Sequence, residues 1–312
     1  FTTGKGILIR TPNNWTSDVN NPMPYPGEFK GVPNNGDITN VSLTAGYNFL
    51  GNPYASPIDA TSFLTNANNQ GATVGMTTMY FWTHYLAADA SGSYAYNGTS
   101  NYATFNGAAG IAATAGGQEP DGIIQVGQGF LVDVNAAGNA EFTNSMRLSA
   151  SNGQFFKSTN QTTTIEKHRM WLGLTSPQYN HNQIAVGYIG GATNDLDPTL
   201  DAKLFGESNS VIYSTINSSK YVIQSRALPF TSSDIVPLGF IAHTAGQYTI
   251  SINKVDGLFN SQDIYLKDNL LNIIHDIKAS AYTYVSDIGQ FDSRFEIVYA
   301  APLAVEIPTF NE

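Results

Sequence analysis

Hydrophobic and polar residues alternate in short runs along this chain, and the alternation predicts β-strands. The clearest run is at residues 248–253 (YTISIN), where Tyr and two Ile are separated by Thr, Ser and Asn. The same pattern occurs at residues 130–134, 184–188 and 294–299, the last beginning with Arg294 on the predicted outer face. Because successive side chains of a strand point to opposite faces, each run predicts a strand with one buried face and one solvated face.

Turn-forming residues separate these runs. They occur at residues 34–36 (NNG), 152–153 (NG), 256–257 (DG), 268–269 (DN) and 288–289 (IG). Short strands with turns at this spacing, and almost no long amphipathic helix, are typical of antiparallel sandwiches. We therefore predict a mainly β chain of two antiparallel β-sandwich domains, immunoglobulin-like or jelly-roll-like, with one or two short helices.

A polar segment near the middle of the chain predicts where the two domains divide. Residues 157–167 (KSTNQTTTIEK) contain one large apolar residue and lie between two strand-rich halves. We predict an N-terminal sandwich at residues 1–162, a C-terminal sandwich at 163–302 and a linker at 303–312. The alternative is a long loop inside one large sandwich, since long loops do occur in compact domains.

One short helix is predicted within residues 46–64 (GYNFLGNPYASPIDATSFL). Ser56 is the predicted N-cap, with Pro57 at the first helical position and Asp59 able to reach back toward the cap. We expect this helix near residues 57–65, immediately after a turn.

Two segments share a Gly-x-Gly pattern followed by three apolar residues and a charge. They are residues 4–10 (GKGILIR) and 127–133 (GQGFLVD). Glycine at such positions permits an unusual φ or a close approach to a neighbouring strand. The repetition predicts that residues 4–10 end a preceding module of the same type.

Composition excludes several classes of protein. The chain has 14 Lys and Arg against 24 Asp and Glu, a net charge of −10, and no basic stripe that would indicate nucleic-acid binding. It has no cysteine, which excludes disulfides and thiolate metal sites. No apolar run approaches the ~20 residues of a transmembrane helix. Because the chain begins at Phe1 without methionine, we expect it to be a piece of something longer.

The catalytic motifs that a sequence can reveal are missing. Residues 206–210 (GESNS) break the nucleophile-elbow pattern at its last position, and none of the five histidines forms a His-x-x-x-His pair. Neither Gly-x-Gly segment continues into a dinucleotide loop. Glu119 and Asp121 are close in sequence but lie in a turn, where solvated acids are common. We therefore predict that the chain is not an enzyme.

One loop is a candidate calcium site. Four residues with oxygen-bearing side chains lie within eight positions: Asn194, Asp195, Asp197 and Asp201. Oxygen ligands suit a hard cation such as Ca²⁺, although the glycine and distal glutamate of an EF-hand are missing. The alternative is an Asx-turn loop whose carboxylates accept hydrogen bonds from backbone N–H groups. Calcium is the one cofactor that these residues suggest.

Exposed aromatic residues would indicate saccharide binding. The candidates for such a surface are Trp15, Tyr25, Tyr94 and Tyr96. Trp82 and Trp171 lie in apolar runs, so we predict that both pack in the core.

The segment GNPYASPID at residues 51–59 and a series of later motifs together resemble a known group of proteins. In chain order these motifs are YFWTH (80–84), YAYNG (94–98), GQGFLV (127–132), NSMR (144–147), KHRMWL (167–172), DAKLFG (201–206), VPLGF (236–240), DIYLKD (263–268), IHDI (274–277) and RFEIVY (294–299). The series resembles the C-terminal regions of large secreted proteins of Bacteroidota. The likeness is greatest to flavobacterial adhesin-like cargo of the type IX secretion system.

The resemblance implies where the protein is located rather than which reaction it performs. Such regions precede a C-terminal sorting domain that engages the type IX secretion machinery, and residues 301–312 resemble the linker into that domain. The resemblance implies an extracellular, cell-surface module that acts in adhesion or as a structural stalk, with surface glycans or other surface proteins as partners. The alternative is a carbohydrate-binding module of a secreted polysaccharide-degrading enzyme. The resemblance supplies no catalytic residues.

Overall fold

Strands dominate the structure, a computed structural model, which confirms the mainly β prediction. The structure describes residues 2–9, 28, 30–70, 75–83, 101–114, 117–149, 165–178, 181–206 and 210–300. Within them lie two short helices, α1 (Ala60–Thr65) and α2 (Ala67–Gln70), and two 3-10 turns, Asn144–Met146 and Gly257–Asn260. None of the helices in these residues is long and apolar enough to cross a membrane.

The first part of the chain forms three small antiparallel sheets. Its strands are β1 (Ile38–Leu43), β2 (Gly46–Gly51), β3 (Ile58–Asp59), β4 (Met79–Trp82), β5 (Tyr102–Phe105), β6 (Gly110–Ile111), β7 (Ile123–Ile124), β8 (Gly129–Val134) and β9 (Gly138–Phe142). The main sheet has the order β2-β8-β4-β5-β6, while β1 pairs with β9 and β3 with β7. Helix α1 packs on this core through Phe63, whose ring lies 5.5 Å from that of Phe130 and 4.7 Å from that of Phe142.

The second part forms a single large sheet. Its strands are β10 (Lys167–Thr175), β11 (His181–Ile189), β12 (Ala202–Lys203), β13 (Val211–Ile216), β14 (Ser219–Arg226), β15 (Ile235–Ala242), β16 (Gly246–Val255), β17 (Tyr265–Asp268), β18 (Ile273–Asp276), β19 (Tyr282–Ser286) and β20 (Gly289–Val298). The order is β18-β17-β20-β15-β13-β14-β11-β10-β16-β19, with β12 beside β14. The β11–β14 pair is parallel and the other pairs of this sheet are antiparallel.

This large sheet folds over so that its two ends face each other across one core. Tyr284 on the last strand of the sheet order, β19, packs 5.4 Å from Phe240 on β15 and 4.9 Å from Phe295 on β20. A twisted sheet with this many strands curls, and curling buries one face. The contact joins strands that are not neighbours in the sheet, and the result is a rolled sheet close to a barrel.

A buried ion pair completes the closure. Arg294 on β20 donates from Nη2 to Oδ2 of Asp268 on β17 at 2.9 Å, and the hydroxyl of Tyr282 on β19 donates to the same oxygen at 3.0 Å. Asp268 also accepts from the backbone N–H groups of Leu270 and Leu271. Arg294 is 7% exposed, so its predicted place on the outer face was wrong. The carboxylate of Asp268 provides the partner that makes its burial tolerable.

The helix prediction near residues 57–65 was right in type but wrong in its start. Ile58 pairs with Ile124 in the β3–β7 ladder, so the chain is still extended at the positions predicted to be helical. The N-cap is Asp59, whose Oδ1 accepts from the backbone N–H of Ser62 at 2.5 Å. Ser56 instead accepts a hydrogen bond from Nε of Arg147 at 3.0 Å.

The two Gly-x-Gly segments lie on opposite sides of strand β2. Gly51 donates to the carbonyl of Gly4, and Gly6 donates to the carbonyl of Phe49, both at 3.0 Å. On the other side Gly51 pairs with Gly129. The ring of Phe49 lies across both Gly6 and Gly129, where a Cβ on either residue would overlap it. Residues 4–6 of the first segment therefore lie along the edge of this sheet, beside β2. That the segment ends a preceding module stays a prediction.

The two parts of the chain meet through the segment 105–111. No sheet of the described strands combines strands from before and after residues 150–164, which lie outside the description. However, Ala108, Ala109 and Ile111 belong to the core of the second part. The division at residue 162/163 falls in the undescribed segment and stays a prediction.

Candidate functional site

The four aromatic candidates for saccharide binding lie outside the residues that the structure describes: Trp15, Tyr25, Tyr94 and Tyr96. Trp171 is 2% exposed, which confirms its predicted place in the core. Trp82 is half-buried, edge-on to Tyr102 at 5.1 Å.

In the candidate calcium loop, side-chain oxygens of Asn194, Asp197 and Asp201 accept from backbone N–H groups. The carboxylate of Asp197 accepts from the backbone N–H of Thr193 at 2.5 Å. Asp201 accepts from the N–H of Asp197 and from the N–H of Ser225, both at 2.7 Å. Asn194 accepts from Ala227 N–H at 3.1 Å. These side chains accept from backbone N–H groups, as in the alternative, but the donors lie four residues earlier or at the end of β14, so the bonds are not Asx turns.

The same loop therefore gives the calcium prediction no support. Asp195 is exposed, and Asp201 is 4% exposed. Within the described ranges, no group of three or more His, Cys, Asp or Glu side chains is arranged to hold a metal ion. Burial raises the pKa of Asp201 to about 6, although the two backbone hydrogen bonds oppose that change.

A second polar cluster also has a structural role. Arg226 binds Asp234 through Nε at 2.5 Å and Nη2 at 2.6 Å, and the hydroxyl of Tyr188 donates to Asp234 at 2.6 Å. Burial alone would raise the pKa of Asp234, but the hydrogen bonds from Arg226 and Tyr188 outweigh it and hold the pKa below its usual range. The cluster joins β11 and β14 to the start of β15.

A cleft of about 710 Å³ opens where the two parts meet. One wall consists of Thr61 and residues 105–110, 112 and 117–121 from the first part. The other wall consists of side chains on β10, β11 and β16. Its volume lies within the ~300–1,000 Å³ typical of small-molecule sites, so this cleft is the candidate functional site.

Beneath the cleft, Trp171 lies at the contact between the two parts of the chain, which we call the joint. Its indole N–H donates to the carbonyl of Gly110 at 2.9 Å. The guanidinium of Arg169 lies 4.9 Å from the indole ring centre and the ammonium of Lys254 lies 4.4 Å from it. Gly110 has no room for a side chain, because its Cα packs against the carbonyl of Pro120. A buried ring with two cations against it is not a platform on which a sugar can stack.

The cations of the cleft already have partners. Arg169 binds Asp256 through Nε at 3.0 Å and Nη2 at 2.6 Å. Lys254 pairs with Glu119 across the cleft at 3.3 Å. Lys167 donates to a backbone carbonyl of the facing loop, and its burial lowers the pKa of its ammonium, as does the neighbouring Arg169.

Two side chains of the cleft have polar atoms without partners in the described structure. Asn106 is fully buried, and its Oδ1 accepts from the N–H groups of Ala108 and Ala109 at 2.9 and 3.1 Å, while Nδ2 has no hydrogen-bond partner. Asp121 accepts from Ile123 N–H through Oδ1 at 2.9 Å, and its buried Oδ2 has none. Burial raises the pKa of the Asp121 carboxyl.

His181 lies at the edge of the cleft, where its ring contacts the side chain of Asn253. Its Nε2 lies 2.9 Å from Nδ2 of Asn253. Partial desolvation lowers the pKa of the imidazole. At this edge of the cleft, His181 contacts Asn253 and Glu119 pairs with Lys254.

Sequence reasoning identified part of this site. It named Glu119, Asp121 and Trp171, the first two as turn acids and the third as core. It missed Asn106 and the cleft, because the residues that line it are far apart along the chain: Trp171 and Gly110 are separated by 61 positions. A clustering of Gly and Ala at residues 107–110 was the only local signal, since small residues allow two backbones to approach closely.

The comparisons with known proteins give a family without an assigned activity. Comparison with curated proteins and comparison with solved structures each return no match. A family model, described as a domain of unknown function (DUF8693), matches residues 1–299 and so spans both parts of the fold. The chain therefore belongs to the DUF8693 family.

Proposed function

We propose that this chain is a non-enzymatic module of a cell-surface protein, acting in adhesion or as a structural spacer. The observation that carries the proposal is the joint between its two parts. Lys167, Arg169 and Trp171 alternate along one face of β10 and donate to three carbonyls of the facing loop, at 2.6, 2.9 and 2.9 Å. The carbonyls belong to Gly107, Ala108 and Gly110.

Such a joint suits a spacer because it fixes the orientation of two β-rich parts. The three donors are inserted from one strand into one loop, so rotation of either part would break all of them together. Ala108 and Ala109 also bury their side chains in the core of the second part. A module that presents a binding surface or transmits mechanical load at a cell surface benefits from this rigidity. An enzyme would instead need acidic and basic side chains that are free to act on a substrate.

The proposed location rests on the resemblance described above. It gives an extracellular module at the cell surface, exported by the type IX secretion machinery through a sorting domain beyond this chain. Proposed partners are surface glycans or other surface proteins. The low content of charged residues, 12%, fits that environment.

The test uses cells that produce the full-length parent protein. An antibody raised against this chain should label intact cells, and protease added outside should remove the signal. A parent protein lacking residues 1–299 should reach the surface but adhere less well to host or abiotic surfaces. Labelling only after the outer membrane is permeabilised would contradict the proposal.

The alternative, a carbohydrate-binding module, is favoured by one specific observation. The cleft has the size of a small-molecule site, and Asn106 and Asp121, which are among its lining residues, each have one buried polar atom without a hydrogen-bond partner in the described structure. The joint explains the other polar groups of the cleft but not these two.

A further inference from the structure

We propose that residues 303–307, which follow the last strand of the large sheet, add as an extra strand to the free edge of β18. The partner of this edge is then a segment of the same chain. The inference concerns an interaction surface of the fold, and it does not depend on the proposed function.

The first observation is that β18 ends the large sheet with one edge unpaired. It pairs with β17 and has no second partner among the described strands. Four aliphatic side chains at this edge and in the turn before it are between 37% and 68% exposed: Leu270, Leu271, Ile273 and Ile274. An apolar strand edge of this kind is a template for pairing with another extended segment.

The second observation is that the core of the sheet is open beside this edge. Ile273 lies opposite Asp268 in the β17–β18 ladder. Directly opposed residues share a face of the sheet, and Asp268 is fully buried. Ile273 therefore lies on the inner face, yet it is 43% exposed, since no described strand lies beside it to cover it.

The third observation concerns the direction of the strands. Each antiparallel pairing along the sheet reverses the direction, and the one parallel pairing, β11 with β14, keeps it. Counted in this way, β18, β19 and β20 run in the same direction. A chain that leaves the end of β20 and turns back therefore runs antiparallel to β18, and also to β19 at the opposite end of the sheet.

The fourth observation is the sequence that follows β20. Residues 301–312 lie outside the described part of the structure. Within them, residues 303–307 (LAVEI) alternate between large apolar side chains and either alanine or glutamate. This is the pattern of a strand with one apolar face. Since proline cannot donate to a ladder, Pro302 and Pro308 limit a strand here to five residues, beside the four of β18.

The connection is long enough to reach the edge. Val298 lies opposite Tyr265, which lies opposite Asp276, so the end of β20 is level with the end of β18. A strand added to β18 lies three strand spacings from β20, or about 14 Å. The five residues from Val298 to Leu303 span about 17 Å when extended. With its apolar face toward the core, the added strand covers Ile273.

The first experiment traps the pairing with cysteines in the full chain, which has none of its own. Ile274→Cys, on the outer face of β18, is combined in turn with A304C, V305C and E306C. Opposed residues on one face of an antiparallel pair are close enough for a disulfide. We expect an intramolecular disulfide with A304C or E306C, and at least tenfold less with V305C, which faces the core. The readout is mass spectrometry after mild oxidation.

A matched control places the first cysteine elsewhere. Val126→Cys, at an exposed residue of the first part of the chain, replaces Ile274→Cys in all three combinations. It should give the same low yield with each of them.

The second experiment breaks the ladder with proline. Adjacent N–H groups of a strand point to opposite sides, so one of Val305→Pro and Glu306→Pro removes a donor that faces β18. In at least one of these variants we expect hydrogen exchange at the amides of residues 273–276 to be at least tenfold faster. Thr309→Pro lies beyond the proposed strand and is the control, which should match the unmodified protein.

Three results would overturn the inference. They are disulfide yields that do not alternate along residues 304–306, equal exchange at residues 273–276 in all three proline variants, and disulfides that form only between chains. The last result, together with dimers of the unmodified protein in sedimentation, would assign the edge of β18 to a second copy of the chain.

Discussion

The indole N–H of Trp171 donates a hydrogen bond to the backbone carbonyl of Gly110, 2.9 Å away, across the contact between the two parts of the chain. The donor lies on a long strand of the large sheet and the acceptor at the start of a two-residue strand of the other part. Since both groups are buried, neither has water as a substitute partner.

Trp171→Phe should therefore destabilise the protein. The substitution keeps an aromatic ring but removes the donor, which leaves the Gly110 carbonyl buried without its partner. We expect the free energy of unfolding to fall by about 1–3 kcal/mol, measured by urea denaturation. Tyr284→Phe is the matched control, because the Tyr284 hydroxyl is buried and has no partner in the described residues. Its removal should be neutral or stabilising, and an equal loss in both variants would contradict the assignment.

The contributions of Asp268 and Arg294 to the free energy of unfolding should be coupled. Arg294→Met leaves a buried carboxylate without its cation, and we expect a loss of about 3–5 kcal/mol. Adding Asp268→Asn should recover part of that loss, because a neutral amide can keep the hydrogen bonds from Leu270 and Leu271. A double-mutant cycle measures the coupling. The exposed pair of Lys30 and Glu28, at 3.0 Å, is the control, and Glu28→Gln should change stability very little.

Asp268 and Asp201 should give stability opposite dependences on pH. Burial alone would raise the pKa of Asp268, but hydrogen bonds from Arg294 and Tyr282 outweigh it and hold the pKa below its usual range. Its contribution is therefore present above the unfolded-state pKa of about 3.9 and is lost as the pH falls through the lower folded-state value.

For Asp201 the sign is reversed. Its pKa is raised by burial to about 6, so its contribution is present below the unfolded-state value and is lost as the pH rises to about 6. The change is of the order of 3 kcal/mol. Carboxyl NMR titration should place the Asp201 midpoint well above that of an exposed aspartate. Asp201→Asn, which can still accept from Ser225, should remove the fall in stability between about pH 4 and 6. A normal midpoint for Asp201 would refute this prediction.

Gly129 should not tolerate a side chain. A Cβ at this position overlaps the ring of Phe49, which already lies across Gly6 on the other side of β2. We expect Gly129→Ala to cost about 1–3 kcal/mol, and Phe49→Ala should relieve the overlap in the double variant. Gly31→Ala, where the added Cβ meets open space, should cost nothing. Thermal unfolding of the four variants provides the comparison, and additive effects of the first two substitutions would argue against the contact.

The local pattern of hydrophobic and polar residues was sufficient to predict much of the secondary structure. The run at residues 130–134 is strand β8, with Phe130, Val132 and Val134 buried and Asp133 exposed, as the alternation predicts. The helix after the Asn-Pro turn also exists, but it starts three residues late, because the β3–β7 ladder holds Ile58 in an extended conformation. That ladder partner comes from a distant part of the chain, so no local signal could have shown it.

The sequence by itself determined the class of the fold and the positions of many strands, because side-chain alternation follows from the geometry of an extended backbone. Only the tertiary structure decided which polar residues are buried. Arg294 lies inside because Asp268 meets it, and Asn106 and Asp121 share a cleft because two glycines let their segments touch. Contacts between residues far apart in sequence depend on how the sheets fold over and join, and a pattern with a period of two residues contains no information about that.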